Sequence, residues 1–275
     1  MFTLNCNGRL IKWEQPVVMG IINCTPDSFH SDSRVDNIDE ALQKAGEMIA
    51  LGAGILDIGG QSTRPGSVKI GSALEIERVI PIIDAIVNQF PETIISIDTY
   101  FSTVARIAVE RGASIVNDVS AGLFDANMLD TVALLKVPYI CMHHSGDAQQ
   151  LHLPMTDNRT MEVVIDFFIE RLTACKSAGI KDVIIDPGFG FGKTLETNFK
   201  LIRDLSSLKI LGNPILLGVS RKSSIYKTLG GTAETALNGT TVLNTVGLMN
   251  GADILRVHDV KEAMEAIHLI NLIKK

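Results

Sequence analysis

Short runs of β-branched and apolar residues recur along the chain, each halted by a polar residue or a glycine. The stretches between them carry the 3.6-residue spacing of amphipathic helices. The halts fall at Asn23, Gly59-Gly60, Asp98, Asn117, Met142-His143, Asp186, Ser220 and Arg256-Val257-His258. This pattern predicts strands near 17–23, 55–59, 94–98, 115–119, 138–143, 183–187, 215–219 and 253–258. It predicts helices over roughly 38–51, 72–89, 102–111, 126–135, 160–178, 195–205, 232–249 and 260–273. Runs such as Val183-Ile184-Ile185 and Ile215-Leu216-Leu217 are apolar throughout, as strands covered on both faces are. Strand and helix alternating in this way argue for parallel βα units closed into a (β/α)8 TIM barrel of the α/β class. Ahead of the first unit, Asn7-Gly8 between Phe2–Cys6 and Arg9–Trp13 signals a β-hairpin, expected to close the bottom of the barrel.

Chemistry in such barrels sits at the strand C-termini, so the halts mark the expected active-site rim. The connections over 23–37, 59–71 and 143–159 exceed the usual few residues, and the first two are expected to cover the mouth. Length and composition fit this picture. The 275 residues, 46% hydrophobic, suit one barrel domain spanning 1–275. A net charge of −6, with no basic run, argues against nucleic acid or an anionic membrane as partner, so any bound anion must meet a local cluster of cations. The start of the chain lacks a basic, then apolar leader, and no apolar stretch is long enough to span a bilayer, so a cytoplasmic location is expected. Cys6, Cys24, Cys141 and Cys175 show no metal-ligand spacing and read as free thiols.

The segment from Asp186 to Thr194 follows a strand and opens a helix, which invites a phosphate-loop reading. It fails on count, because Pro187 stands where the first glycine would be needed. Its glycines instead suit a backbone folded tightly beside a flat ligand, with Phe191 as an apolar wall. Asp98, Asn117 and Asp186 end three strands; each alone could be a helix cap, but together they suit the amino and ring N–H groups of a flat heterocycle. Lys222, Arg256 and His258 come from the last two strands, where barrels often bind phosphate. Surface pairing is the plain alternative, but in an acidic chain their clustering argues for an anionic group in the ligand. Asn23 could meet the same anion or ligate Mg²⁺ through its amide oxygen. The adjacent pair His143-His144 faces opposite ways on a strand and reads as wall rather than metal site, and Cys24 lacks a partner base.

Seven ordered blocks carry a resemblance covering nearly the whole chain. They are Met19 to Phe29, Gly59 to Gly66, Ser96 to Thr99, Val116 to Asp118, Ile185 to Lys193, Gly218 to Ser223 and Arg256 to His258. On these the chain resembles the dihydropteroate synthase family of the folate pathway. The resemblance implies a TIM-barrel transferase, commonly a homodimer. Its members join 6-hydroxymethyl-7,8-dihydropterin diphosphate to 4-aminobenzoate with release of diphosphate. It implies that Asp98, Asn117, Asp186 and Lys222 hold the pterin with Arg256 against its face, and that Asn23, Arg256 and His258 hold the diphosphate with Mg²⁺. It implies that Thr63, Pro65, Phe191, Lys222 and Ser223 form the aminobenzoate end. Ser62, Arg64 and Met142 are further substrate-binding candidates, and Lys222, Arg256, His258 and Asp98 the catalytic ones.

One departure is visible: family members commonly follow Ser-Phe with Ser-Asp-Gly-Gly, whereas this chain reads Phe29-His30-Ser31-Asp32-Ser33, so Asp32 is a displaced candidate for the loop carboxylate. Two rival readings share the pterin pocket. A pterin-dependent methyltransferase domain typically lacks the Ser62-Thr63-Arg64-Pro65-Gly66 loop and the Ser220-Arg221-Lys222-Ser223 block present here. A catalytically silent pterin-binding paralogue would keep the pocket without turnover.

Overall fold

The structure is a computed structural model that describes residues 1–25, 34–61, 69–145 and 160–274. Each apolar run becomes a strand: β3 (Val17–Asn23), β4 (Ile55–Gly59), β5 (Ile94–Asp98), β6 (Ile115–Asp118), β7 (Tyr139–Met142), β8 (Val183–Asp186), β9 (Leu216–Leu217) and β10 (Ile254–Val257). They pair in parallel in the order β8-β7-β6-β5-β4-β3-β10-β9. A parallel bridge between Ile185 and Ile215, with Ile185 N–H donating to Pro214 O at 3.0 Å, closes the ring between β8 and β9. The strand expected over 215–219 is thus reduced to two ladder residues: the Ile215 N–H goes to the Asp253 carboxylate at 3.0 Å, and Gly218 follows directly.

Helices fill the connections: α1 (Arg34–Ala50), α2 (Ser72–Gln89), α3 (Ser102–Glu110), α4 (Met128–Leu135), α5 (Thr160–Ala178), α6 (Leu195–Arg203), α7 (Ser223–Tyr226), α8 (Leu237–Met249) and α9 (Val260–Ile273). Two of the boundaries that differ from expectation have a visible local setting. The sixth helix stops at Arg203 and continues as a 3-10 turn, Leu205–Leu211, ended by Gly212 in the left-handed region. The helix predicted over 232–249 begins at Leu237, because Thr232 and Thr235 bond each other in a local turn: Thr232 N donates to Thr235 Oγ1 at 2.9 Å. None of the described helices is long and apolar enough to cross a membrane.

The hairpin forms as the Asn7-Gly8 signal requires, with β1 (Phe2–Cys6) antiparallel to β2 (Arg9–Trp13). Leu4 and Cys6 pack on Val17, Met19, Ile55, Ile94, Ile115, Ile140, Ile184, Leu216 and Ile254, a cluster separate from the larger core between barrel and helices. Those residues are the first inward positions of their strands. The next inward positions, two residues on, are Ile21, Asp57, Ser96, Asn117, Met142, Asp186, Gly218 and Arg256. The lumen is therefore apolar where the hairpin plugs it and largely polar where the helices begin.

Candidate active site

Arg256 crosses the barrel. Its Nε donates to Oδ2 of Asp57 on β4 at 2.6 Å, and a terminal nitrogen donates to Oδ2 of Asp98 on β5 at 2.5 Å. Asn117 Nδ2 donates to the same Asp57 oxygen at 3.0 Å. Asp57 is fully buried and its Oδ1 has no partner. Burial works against the Arg256 charge, but the carboxylates of Asp57 and Asp98 outweigh it and hold the guanidinium above its ordinary pKa. Asp98 is pushed up to about 7 by burial; Arg256 opposes this, while the carboxylates of Asp57, Asp118 and Asp186 add to it. Such a carboxyl is sensitive to any further charge brought beside it.

Asp186, at the end of β8, accepts the Gly188 N–H on Oδ1 at 2.8 Å. Its pKa is raised by burial, with the nearby Lys222 ammonium the main opposing influence. Lys222 immediately precedes α7, donates to the carbonyl of Phe189, and lies 4.5 Å from the centre of the Phe191 ring. Burial lowers its pKa to about 8 against the pull of Asp186. The Phe191 wall thus carries a cation on its face. Ser223 opens α7 and is exposed.

His258 lies just past β10, and its Nδ1 is 3.0 Å from Ser220 Oγ, which also accepts the His258 N–H at 3.1 Å. Ser220 therefore orients the imidazole. Arg221, in the left-handed region at φ 53°, turns to a bidentate pair with Asp259 at 2.9 and 2.7 Å, locking the ends of β9 and β10 together. Asn23 ends β3, beside β10, and Met142 is buried opposite Asp186 in the β7–β8 ladder. Asn23, Asp98, Asn117, Met142, Asp186, Lys222, Arg256 and His258 thus all stand at the same end of the barrel. Ser62, Thr63, Arg64, Pro65 and Asp32 lie outside the described residues.

His143 and His144 are buried among Phe167, Phe168 and Phe124, with ring centroids 4.8 to 6.5 Å apart. Burial drives the His143 pKa down to about 2, so it is neutral. Among the described residues no group of three His, Cys, Asp or Glu gathers as a metal site. Cys24 is buried, and its thiol is pushed up to about 12 by that burial, so it is no nucleophile.

Asp57 and Glu75 escape a reading confined to strand ends. Asp57 sits mid-strand, and its only sequence signal is a charge inside the apolar run Ile55-Leu56-Asp57-Ile58. Glu75, in the first turn of α2, is fully buried with neither carboxylate oxygen hydrogen-bonded. Burial pushes its pKa up to about 7; the Thr99 side chain and Arg78 pull it down, and Asp98 pushes it up. On an amphipathic helix it looks like any first-turn acid.

A family model described as pterin binding enzyme matches residues 19–258. The chain is 41% identical over 263 residues to the dihydropteroate synthase of Clostridium beijerinckii, covering 94% of this chain and 95% of that protein. Among solved structures, dihydropteroate synthase of Xanthomonas albilineans with 4-aminobenzoic acid superposes with a TM-score of 0.92 at 38% identity, over 99% of this chain and 98% of the other. The Yersinia pestis enzyme in a sulfonamide drug complex gives 0.92 at 35% identity, over 99% of both chains.

Proposed function

The chain belongs to the pterin-binding enzyme family, among its dihydropteroate synthases, and from that premise we propose how its residues carry out the reaction. The enzyme condenses (7,8-dihydropterin-6-yl)methyl diphosphate with 4-aminobenzoate to 7,8-dihydropteroate and diphosphate. The observation that carries the reading is the ring of buried charge at the strand ends: Arg256 held between Asp57 and Asp98, with Asp186 and Lys222 across the mouth.

Asp186, Asp98 and Asn117 hold the N–H edges of the pterin ring, with Met142 as part of the wall. Asp186 supplies a carboxylate already fixed by the Gly188 amide, so little ordering remains to be done on binding. Arg256 and His258 receive the diphosphate, and Asn23 offers one hard amide oxygen beside them. That donor suits Mg²⁺, which keeps most of its waters and takes further oxygens from phosphates. When bound there, Mg²⁺ neutralises charge on the diphosphate.

As the C–O bond at the pterin methylene breaks, negative charge grows on the diphosphate and positive charge on the pterin. Arg256 and His258 face the first; the carboxylates of Asp98 and Asp186, in surroundings of low dielectric, face the second. Departure of diphosphate then runs ahead of attack by the neutral aryl amine, which needs no strong base. Lys222, on the Phe191 face, spans the pterin and aryl halves, and Ser223 receives the aminobenzoate carboxylate. The assembly is a homodimer in the cytoplasm; exposed Val242 and Met249 on α8 and Leu269 and Leu272 on α9 offer an apolar surface for a second copy. Purified protein mixed with both substrates should release diphosphate and form dihydropteroate in equal amounts. Pterin binding without either product would instead fit a silent paralogue.

A further inference from the structure

Lys193 follows the glycine-rich segment that fails as a phosphate loop, and its side chain is not turned to solvent. Its Nζ lies 2.9 Å from Gly188 O, 3.1 Å from Phe191 O and 2.9 Å from His143 Nδ1, with His143 O at 3.4 Å. His143 is neutral, so its Nδ1 accepts. Three close acceptors thus face one ammonium with three N–H bonds, a match that a neutral amine or an apolar side chain cannot make.

The segment is fitted to this knot. A Cβ on Gly188, which has φ +67°, would fall 1.9 Å from His143 O, so only glycine allows the chain to pass so close to the end of β7. Ser145 Oγ donates to Gly192 O at 2.6 Å, and Asn198 Oδ1 accepts the Gly190 N–H at 2.6 Å. The same few residues supply the Phe189 carbonyl and the Phe191 ring that hold Lys222.

We propose that Lys193 is a positioning residue for the aryl-amine half of the reaction: its ammonium ties the Gly188–Gly192 segment to the end of β7 and so fixes the carbonyl and the ring that aim Lys222. This rests on the transferase reading above. Burial lowers the Lys193 pKa to about 7, with Asp186 opposing and the Lys222 charge adding to the fall. Against that desolvation the three acceptors at 2.9 to 3.1 Å favour the ammonium, and a replacement that leaves the carbonyls unanswered carries a cost. A small displacement of Lys222 costs far more than its distance suggests, because reacting groups must meet within a few tenths of an ångström.

The test is steady-state kinetics on Lys193→Met and Lys193→Ala. Because Phe191 lines the aryl end alone while Lys222 spans both halves, the expected result is a rise of about tenfold or more in the 4-aminobenzoate KM, with a rise in the dihydropterin diphosphate KM at least about threefold smaller. Propylammonium should restore part of the Lys193→Ala activity, whereas tetramethylammonium, which has no N–H to donate, should not. Equal changes in both KM values without amine rescue, or kinetics unchanged from wild type, would overturn the proposal. If neither variant folds, His143→Ala, which removes one acceptor, should show the same split more weakly, and an unaltered aminobenzoate KM there would overturn it too. A wild-type protein that forms no dihydropteroate would fail the reaction itself, a distinct outcome from active wild type with indifferent Lys193 variants.

Discussion

Arg256 and Asp57, 199 residues apart in the chain, meet inside the barrel at 2.6 Å, and the second hydrogen bond of the guanidinium goes to Asp98. The two acids differ in what they can release. Asp98 stands at the strand end, where a pterin N–H can compete for its oxygens. Asp57 lies one inward position deeper and is fully buried, farther from the mouth than Asp98.

Asp57→Asn is therefore expected to weaken diphosphate binding by about tenfold or more, since Arg256 then has Asp98 as its sole carboxylate and must share it with the pterin. Asp57→Ala should in addition cost about 3 to 5 kcal/mol of stability, the usual cost of stranding one member of a buried pair. Calorimetric titration with diphosphate and Mg²⁺, alongside urea unfolding, reads both effects.

Asp186→Ala should cost on the order of 2 to 4 kcal/mol in pterin binding, because it strands buried ligand donors and frees the Gly188 amide. Calorimetry with a pterin ligand that gives an affinity within twofold of wild type would remove Asp186 from the site.

Glu75 makes stability depend on pH in an unusual direction. Its folded pKa, about 7, lies above the ordinary 4.5, so the folded state holds the proton more tightly than the unfolded chain does. The contribution is fully present below pH 4.5 and is lost as pH rises through about 7. The loss is on the order of 3 kcal/mol. Glu75→Gln should flatten that fall in urea-unfolding free energies measured from pH 5 to 8; an unchanged slope would assign the carboxyl an ordinary pKa.

Ser223→Ala should raise the 4-aminobenzoate KM more than it lowers kcat. A sulfonamide should inhibit by competing with 4-aminobenzoate alone, and should bind best with pterin and diphosphate present. Noncompetitive inhibition against 4-aminobenzoate would move the aryl pocket elsewhere.

Leu4→Ala opens a hole where the hairpin plugs the barrel, at a side chain 2% exposed. It should cost about 2 to 5 kcal/mol of stability while leaving both KM values unchanged. A KM effect would show that the plug and the mouth are coupled.

How far the sequence reveals this molecule depends on how local each feature is. The strand ends and the Asn7-Gly8 hairpin are legible because hydrophobic period and turn chemistry are written within a few neighbouring residues. Asp98, Asn117, Asp186, Arg256 and His258 are legible as site candidates because a barrel gathers its strand ends at one mouth. Asp57 is not, because its role depends on an arginine 199 residues away that reaches down the lumen. Lys193 is hidden for a similar reason: its partner His143 lies 50 residues earlier, and only the fold brings the two together. The short β9 and the late start of α8 accompany the Asp253 carboxylate that takes the Ile215 N–H and the Thr232–Thr235 turn, side-chain contacts that apolar periodicity does not record.

Positional isotope exchange decides whether diphosphate departs into the Arg256–His258 cluster before the amine attacks. Dihydropterin diphosphate carrying ¹⁸O in the bridge to the methylene would be incubated with enzyme, Mg²⁺ and benzoate in place of 4-aminobenzoate, so that the aryl pocket is filled but no attack can occur. Reversible departure predicts that label migrates from the bridging to the non-bridging oxygens of recovered substrate, and that the migration is lost in Arg256→Ala. Substrate recovered with its label unmoved, from enzyme that turns over normally once 4-aminobenzoate is added, would mean that diphosphate does not leave ahead of the amine.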